Sequence, residues 1–178
     1  MPIDKHVIDT NVLLVASAAD DASPFPADAT PVETAQMRKQ VLDWVIAFEQ
    51  SDKRVVLDYG WEILDEYQNK LSDQDYALQI VLHMKDTERV VWFQLEHEVD
   101  GRTRIAHAAL DSAITDLADR KMVAAVVAGG CNAGGCNLVN ACDTDWYDWQ
   151  RALESADVYV EQLIHDWCHA KWLAKQAR

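Results

Sequence analysis

Four carboxylates stand where an α/β chain gathers its chemistry: Asp9, Glu66, Asp119 and Asp143. Asp9 closes the apolar run His6-Val7-Ile8, and Asp143 follows Leu138-Val139-Asn140-Ala141. Both sit at the C-terminal ends of expected strands, where functional groups collect in such folds. On an expected helix from about Trp61 to Leu71, steps of about 100° per residue set Glu66 beside the face of Ile63, Leu64, Tyr67 and Leu71. Glu62 and Asp65 point further away. Asp119 precedes Met122 and Val123 by a helical turn and shares their core-facing side, while Asp116 takes the N-cap. Each acid has a plainer reading on its own. Asp9-Thr10-Asn11 suits a helix cap, Glu66 a solvated helix face, and Asp119 a helix N-terminus. Together they repel one another unless a cation holds them, and oxygen ligands with few histidines nearby suit Mg²⁺ or Mn²⁺ rather than zinc.

The elements that must position these acids alternate. Strands are expected up to Asp9, at Arg54–Asp58, at Arg89–Phe93, at Asn137–Ala141 and at Val158–Leu163. Helices are expected just after Asp9, from Asp116 to Ala128 where Gly129-Gly130 stops it, from Trp146 to about Ser155, and from about His165 to 177. Residues 19 to 31 carry three prolines and read as a loop. Thr30-Pro31-Val32-Glu33 reads as a capping box with proline at the first helical position. It opens an elaborated helical segment over about 31–50, with Met37, Val41, Trp44, Val45 and Phe48 at helical spacing. Strands alternating with helices predict an α/β fold, a central mainly parallel sheet covered on both faces, in one domain over 1–178.

With 16 basic against 30 acidic residues, the 178-residue chain carries a net charge of −14. That argues against coating nucleic acid or an anionic membrane through the whole surface. It leaves room for an enzyme that binds nucleic acid locally. No apolar run approaches the roughly 18 residues of a membrane span, and the start lacks a secretory pattern. A cytoplasmic setting with reduced thiols at Cys131, Cys136, Cys142 and Cys168 is the expectation.

Val7-Ile8-Asp9-Thr10-Asn11-Val12-Leu13-Leu14 resembles the opening motif of the PIN-domain family of ribonucleases. That family's glutamate in a second helix is matched by Asp65-Glu66-Tyr67-Gln68-Asn69-Lys70-Leu71. Its third acid is matched by Ala118-Asp119-Arg120-Lys121-Met122-Val123, and its fourth by Val139-Asn140-Ala141-Cys142-Asp143-Thr144-Asp145-Trp146. The order agrees over most of the chain; the Gly129–Gly135 loop and the helix around 31–50 depart from it. The resemblance implies a three-layer α/β/α fold and metal-dependent hydrolysis of phosphodiesters, single-stranded RNA foremost. Asp9, Glu66, Asp119 and Asp143, with Asp145 outside them, would hold one or two Mg²⁺ or Mn²⁺ ions. Thr10 and Asn11 would orient ligands or phosphate, and Arg120 and Lys121 would contact substrate, with Arg102 and Arg104 next in line. Small prokaryotic members resemble toxins held by an antitoxin, so a protein partner or a homodimer is compatible, and roles in RNA processing or defence stay open.

Other features weigh less. The spacing of Cys131, Cys136 and Cys142 is not the close pair of a zinc site. His165 and His169, around Cys168, suit packing or surface roles. Trp146 and Trp149 are expected to pack the helix after Asp143, and Trp167 and Trp172 the last helix or a partner surface. Haloacid-dehalogenase phosphatases also open on a strand ending in aspartate, but they need an acid where this chain has Asn11. The remaining alternative is a catalytically inactive PIN-like binding or scaffold module.

Overall fold

The strands are apolar on both faces, so they must be covered on both. In the computed structural model, which describes residues 3–130 and 135–178, they form one five-stranded parallel sheet. The strands are β1 (Lys5–Ile8), β2 (Arg54–Asp58), β3 (Val90–Phe93), β4 (Cys136–Asn140) and β5 (Val160–Gln162), in the order β3-β2-β1-β4-β5. β4 is buried at every position, and β2 at every position but the first.

Among the described residues the helices are α1 (Thr10–Ser17), α2 (Ala35–Glu49), α3 (Glu62–Lys70), α4 (Tyr76–Asp86), α5 (Ala108–Ala113), α6 (Leu117–Ala128), α7 (Asp145–Asp148), α8 (Gln150–Ser155) and α9 (His165–Gln176). α1, α2 and α4 pack on one another, and α6 packs on β1, β2 and β4. The result is the expected three-layer α/β/α arrangement. The chain steps from β1 outward to β3, then returns through α6 to β4 on the other side of β1. Strand order therefore reverses between β1 and β4, which opens a crevice at their carboxyl ends.

Three local expectations need correction. The Thr30–Glu33 segment is not a capping box: α2 begins at Ala35, and Thr30 Oγ1 accepts from Val32 N at 3.4 Å. Val32 is fully buried and its carbonyl accepts from Arg38 Nη1 at 2.8 Å, so this stretch is pinned to the core in a non-helical run. The helix expected from Trp146 to Ser155 breaks at Trp149 into α7 and α8. Helix α4 was not anticipated, although Ala77, Leu78, Ile80, Val81 and Met84 form its buried face.

Asp58 determines how β2 passes into α3. Its buried carboxylate accepts from Glu62 N at 3.0 Å and Ile63 N at 2.9 Å, which caps the helix in place of the N-cap residue. Trp61 is thereby held at φ 68°, a left-handed conformation that a bulky L-residue adopts at a cost on the order of 1 kcal/mol.

Candidate metal centre

β1 and β4 deliver the first two acids. Ile8 pairs with Val139, and Asp9 N donates to Val139 O at 3.0 Å, so Asp9 leaves the sheet beside the end of β4. Asp9 is the N-cap of α1 and also part of the cluster, so the two readings of this residue are not exclusive. Its Oδ1 accepts from Asn11 N at 3.2 Å, and its Oδ2 accepts from the Trp146 indole at 2.7 Å. Asp119 comes from the first turn of α6, where Asp116 accepts from Ala118 N and Asp119 N as the cap. Asp143 follows β4 and accepts from Asp145 N at 2.9 Å.

Asp9, Asp119 and Asp143 each bring a carboxylate oxygen within 4.8 Å of the others. Asp9 is buried and the other two half-buried. Burial first, then the Asp143 charge, pushes the Asp9 carboxyl up to about 7. Burial and the charges of Asp9 and Asp143 push Asp119 up to about 8. Burial also raises Asp143. Mutual repulsion in a poorly solvated site is what a bound cation would relieve, and an all-oxygen donor set fits Mg²⁺ or Mn²⁺.

Glu66 stands beside this triad. Thr10 Oγ1 donates to its Oε1, and Lys121 Nζ lies 2.5 Å from its Oε2. Tyr67, the next residue, donates from its buried hydroxyl to Ile8 O and so fastens α3 to the end of β1. Glu62 points away, toward His97 at 3.1 Å, as the helical phase predicts. Asp145 pairs with Lys175 at 2.6 Å.

Asn11 is a brace rather than a ligand-facing group. Its Nδ2 donates to Asn140 Oδ1 at 3.0 Å, and its Oδ1 accepts from Ala141 N and Cys142 N at 2.9 and 3.0 Å. Asn140 continues the brace: its Oδ1 accepts from Asp143 N and its Nδ2 donates to Asp143 O. The turn that carries Asp143 is thus tied to α1 through two asparagines.

Arg120 is buried rather than facing solvent, where the substrate contact expected of it would be made. Its side chain is 1% exposed. Nε donates to Thr103 O at 2.7 Å, Nη1 to Asp111 O and Ile114 O, and Nη2 pairs with the Asp111 carboxylate. One step of about 100° from Asp119 turns residue 120 into the protein. Lys121 stays near the rim and borders clefts of about 330 and 450 Å³ shared with Glu62. Arg102 pairs with Asp111, and Arg104 with Glu96 and Glu98.

Sequence reading missed Trp146 as a partner of Asp9, Tyr67 as a fastener and Asn140 as a brace. An asparagine inside an apolar strand was a usable signal for Asn140; nothing local marks a contact spanning 137 residues. Cys131 lies outside the described residues; Cys136 is buried and Cys142 half-buried. His165 and His169 stack on each other at 5.6 Å and pack with Tyr147 and Trp172. No protein-family model, curated protein or solved structure matches this chain.

Proposed function

We propose that the protein is a metal-dependent endoribonuclease that hydrolyses phosphodiester bonds in single-stranded RNA. The observation that carries this reading is the convergence of Asp9, Asp119 and Asp143 at the crevice where strand order reverses. The order in which these acids come from β1, α6 and the turn after β4 follows the resemblance to PIN-type ribonucleases. In this reading Asp9, Asp119 and Asp143 hold Mg²⁺ or Mn²⁺, with Glu66 beside them. A bound divalent ion supplies Lewis-acid polarisation of the phosphate and acidifies water.

The chain's own residues do the positioning. Trp146 fixes the Asp9 carboxylate, and Asn11 with Asn140 fixes the turn that carries Asp143. Lys121 offsets the Glu66 charge and is a cation beside the acids for a substrate phosphate to meet. With its carboxyl pushed up to about 8, Asp119 holds a proton at neutral pH until a cation displaces it. Among the described residues no helix is long and apolar enough to cross a membrane. RNA is the proposed partner; an antitoxin-like protein or a second copy is compatible with it.

The test is cleavage of matched single-stranded RNA and DNA with Mn²⁺, with excess EDTA and the Asp9→Asn variant as controls. RNA cleavage that stops in both controls is the expected result. Cleavage that survives chelation contradicts it. Metal binding without cleavage of either substrate favours the inactive binding module.

A further inference from the structure

Three aromatic side chains crowd the corner where β2 and β3 end. Tyr59 and Trp61 are 60% and 44% exposed, large fractions for such side chains. Tyr59 lies nearly parallel to Trp92, at 5.9 Å between ring centroids and 20° between planes. Trp61 leans on the same Trp92 ring at 5.6 Å. Lys85 Nζ stands 5.3 Å from the Trp61 ring centroid, and 3.3 Å from Asp86. Tyr59 extends the ladder by donating its backbone N–H to Phe93 O at 2.9 Å.

The placement relative to the acids follows from register. Lys5 stands opposite Arg54 and His6 opposite Val55, which brings Asp9 level with Asp58, one residue before Tyr59. Trp92 pairs with Leu57 one strand further out. At about 4.8 Å per strand, the corner runs from roughly 5 Å to roughly 10 Å from the end of β1, along the same edge of the sheet. Asp58 holds Trp61 in its left-handed conformation, which sets the indole against Trp92 and leaves much of it in solvent.

We propose that Tyr59, Trp61 and Trp92 form a stacking platform that takes the bases of single-stranded RNA leading to the acidic centre; the choice of nucleic acid rests on the ribonuclease reading above. Tyr59, backed by Trp92 on one face and 60% exposed, accepts a base of any sequence; Trp61 extends the apolar edge, and Lys85 over its ring meets the backbone. In a chain of net charge −14, stacking gives RNA a source of affinity that overall electrostatics does not.

The test measures binding of short labelled oligoadenylate, and of an abasic oligomer with the same phosphates, to the full chain in EDTA at low ionic strength. The native protein is expected to prefer the strand that carries bases. The double variant Tyr59→Ala/Trp61→Ala should weaken oligoadenylate binding by about tenfold or more and abolish that preference. Trp61→Phe, which keeps a ring, should retain most of the binding. Equal binding by the double variant, no preference in the native protein, or no binding at all overturns the platform. So does a change of oligomeric state in the variant, which would make the corner a protein interface. If the chain binds RNA through these rings but cleaves none, the platform stands and the hydrolysis reading falls. If it cleaves RNA and the double variant cleaves with unchanged KM, the platform falls alone.

Discussion

The Trp146 indole donates to Asp9 Oδ2 across 2.7 Å, so a helix that follows β4 holds a carboxylate that follows β1. Trp146 is 1% exposed and packs edge-on against Trp149 at 5.6 Å. Replacing it with Phe removes the donor and leaves space beside a buried acid. Trp146→Phe should cost about 2–4 kcal/mol, read by denaturant unfolding. It should also weaken Mn²⁺ binding, because Asp9 loses the bond that favours its ionised form.

The acid cluster makes stability depend on pH in the opposite sense to a salt-bridged carboxylate. Asp9 and Asp119 ionise near 7 and 8 in the folded chain, against an ordinary 3.8. Between about pH 4 and pH 8 the folded state therefore binds more protons than the unfolded one. The contribution of these groups is full below the ordinary value and is lost as pH rises through about 7 and then 8. Metal-free protein should lose stability on the order of a few kcal/mol over that rise. Asp9→Asn should flatten the loss, because asparagine carries no charge and its one oxygen can still cap α1, although its amide group cannot accept from the Trp146 indole and so lowers stability at every pH. Melting curves across pH in EDTA read both effects, and a metal-free Tm that climbs from pH 5 to 8 contradicts them.

Glu66 and Glu62 sit one helical turn apart on α3, with different partners. Glu66→Gln should lower RNA cleavage by about tenfold to a hundredfold, since it disturbs the carboxylate that Thr10 and Lys121 hold beside the triad. Glu62→Gln, which breaks a half-exposed contact with His97, should change it little. Parallel rate measurements separate the two, and the reverse ranking contradicts the placement.

Arg120 and Lys121 are neighbours in sequence with separate tasks. Arg120→Ala leaves three carbonyls and Asp111 without their donor, and should cost about 3 kcal/mol or more in a denaturation curve. Lys is no substitute for the forked guanidinium there. Lys121→Ala leaves the largely buried Glu66 carboxylate without its cation, so it should cost about 1–3 kcal/mol and also reduce the salt dependence of RNA binding.

What could be read in advance follows the range of the interactions. β2 at Arg54–Asp58 and α6 from Leu117 to Ala128 were legible because apolar runs, caps and stop signals are local. α4 was missed although Asp75 is a cap-type residue and Ala77, Leu78, Val81 and Met84 recur at helical spacing; in the fold the Asp75 carboxylate turns back to Ser72 N and to Ser23. Asp119 was placed correctly by helical phase. The same phase argues against Arg120 as a substrate contact, and adjacency in sequence hid this. The ties from Trp146 to Asp9 and from Asn11 to Asn140 join residues more than a hundred positions apart, and only the folded sheet reveals them.

Calorimetric titration of Mn²⁺ into the metal-free protein near pH 7, in two buffers of different ionisation heat, tests the metal centre most directly. The account predicts saturable binding that releases protons, because Asp9 and Asp119 are partly protonated at that pH. Asp119→Asn should bind about tenfold more weakly or worse while remaining folded. Absence of binding at millimolar Mn²⁺, or equal binding by Asp119→Asn, contradicts it.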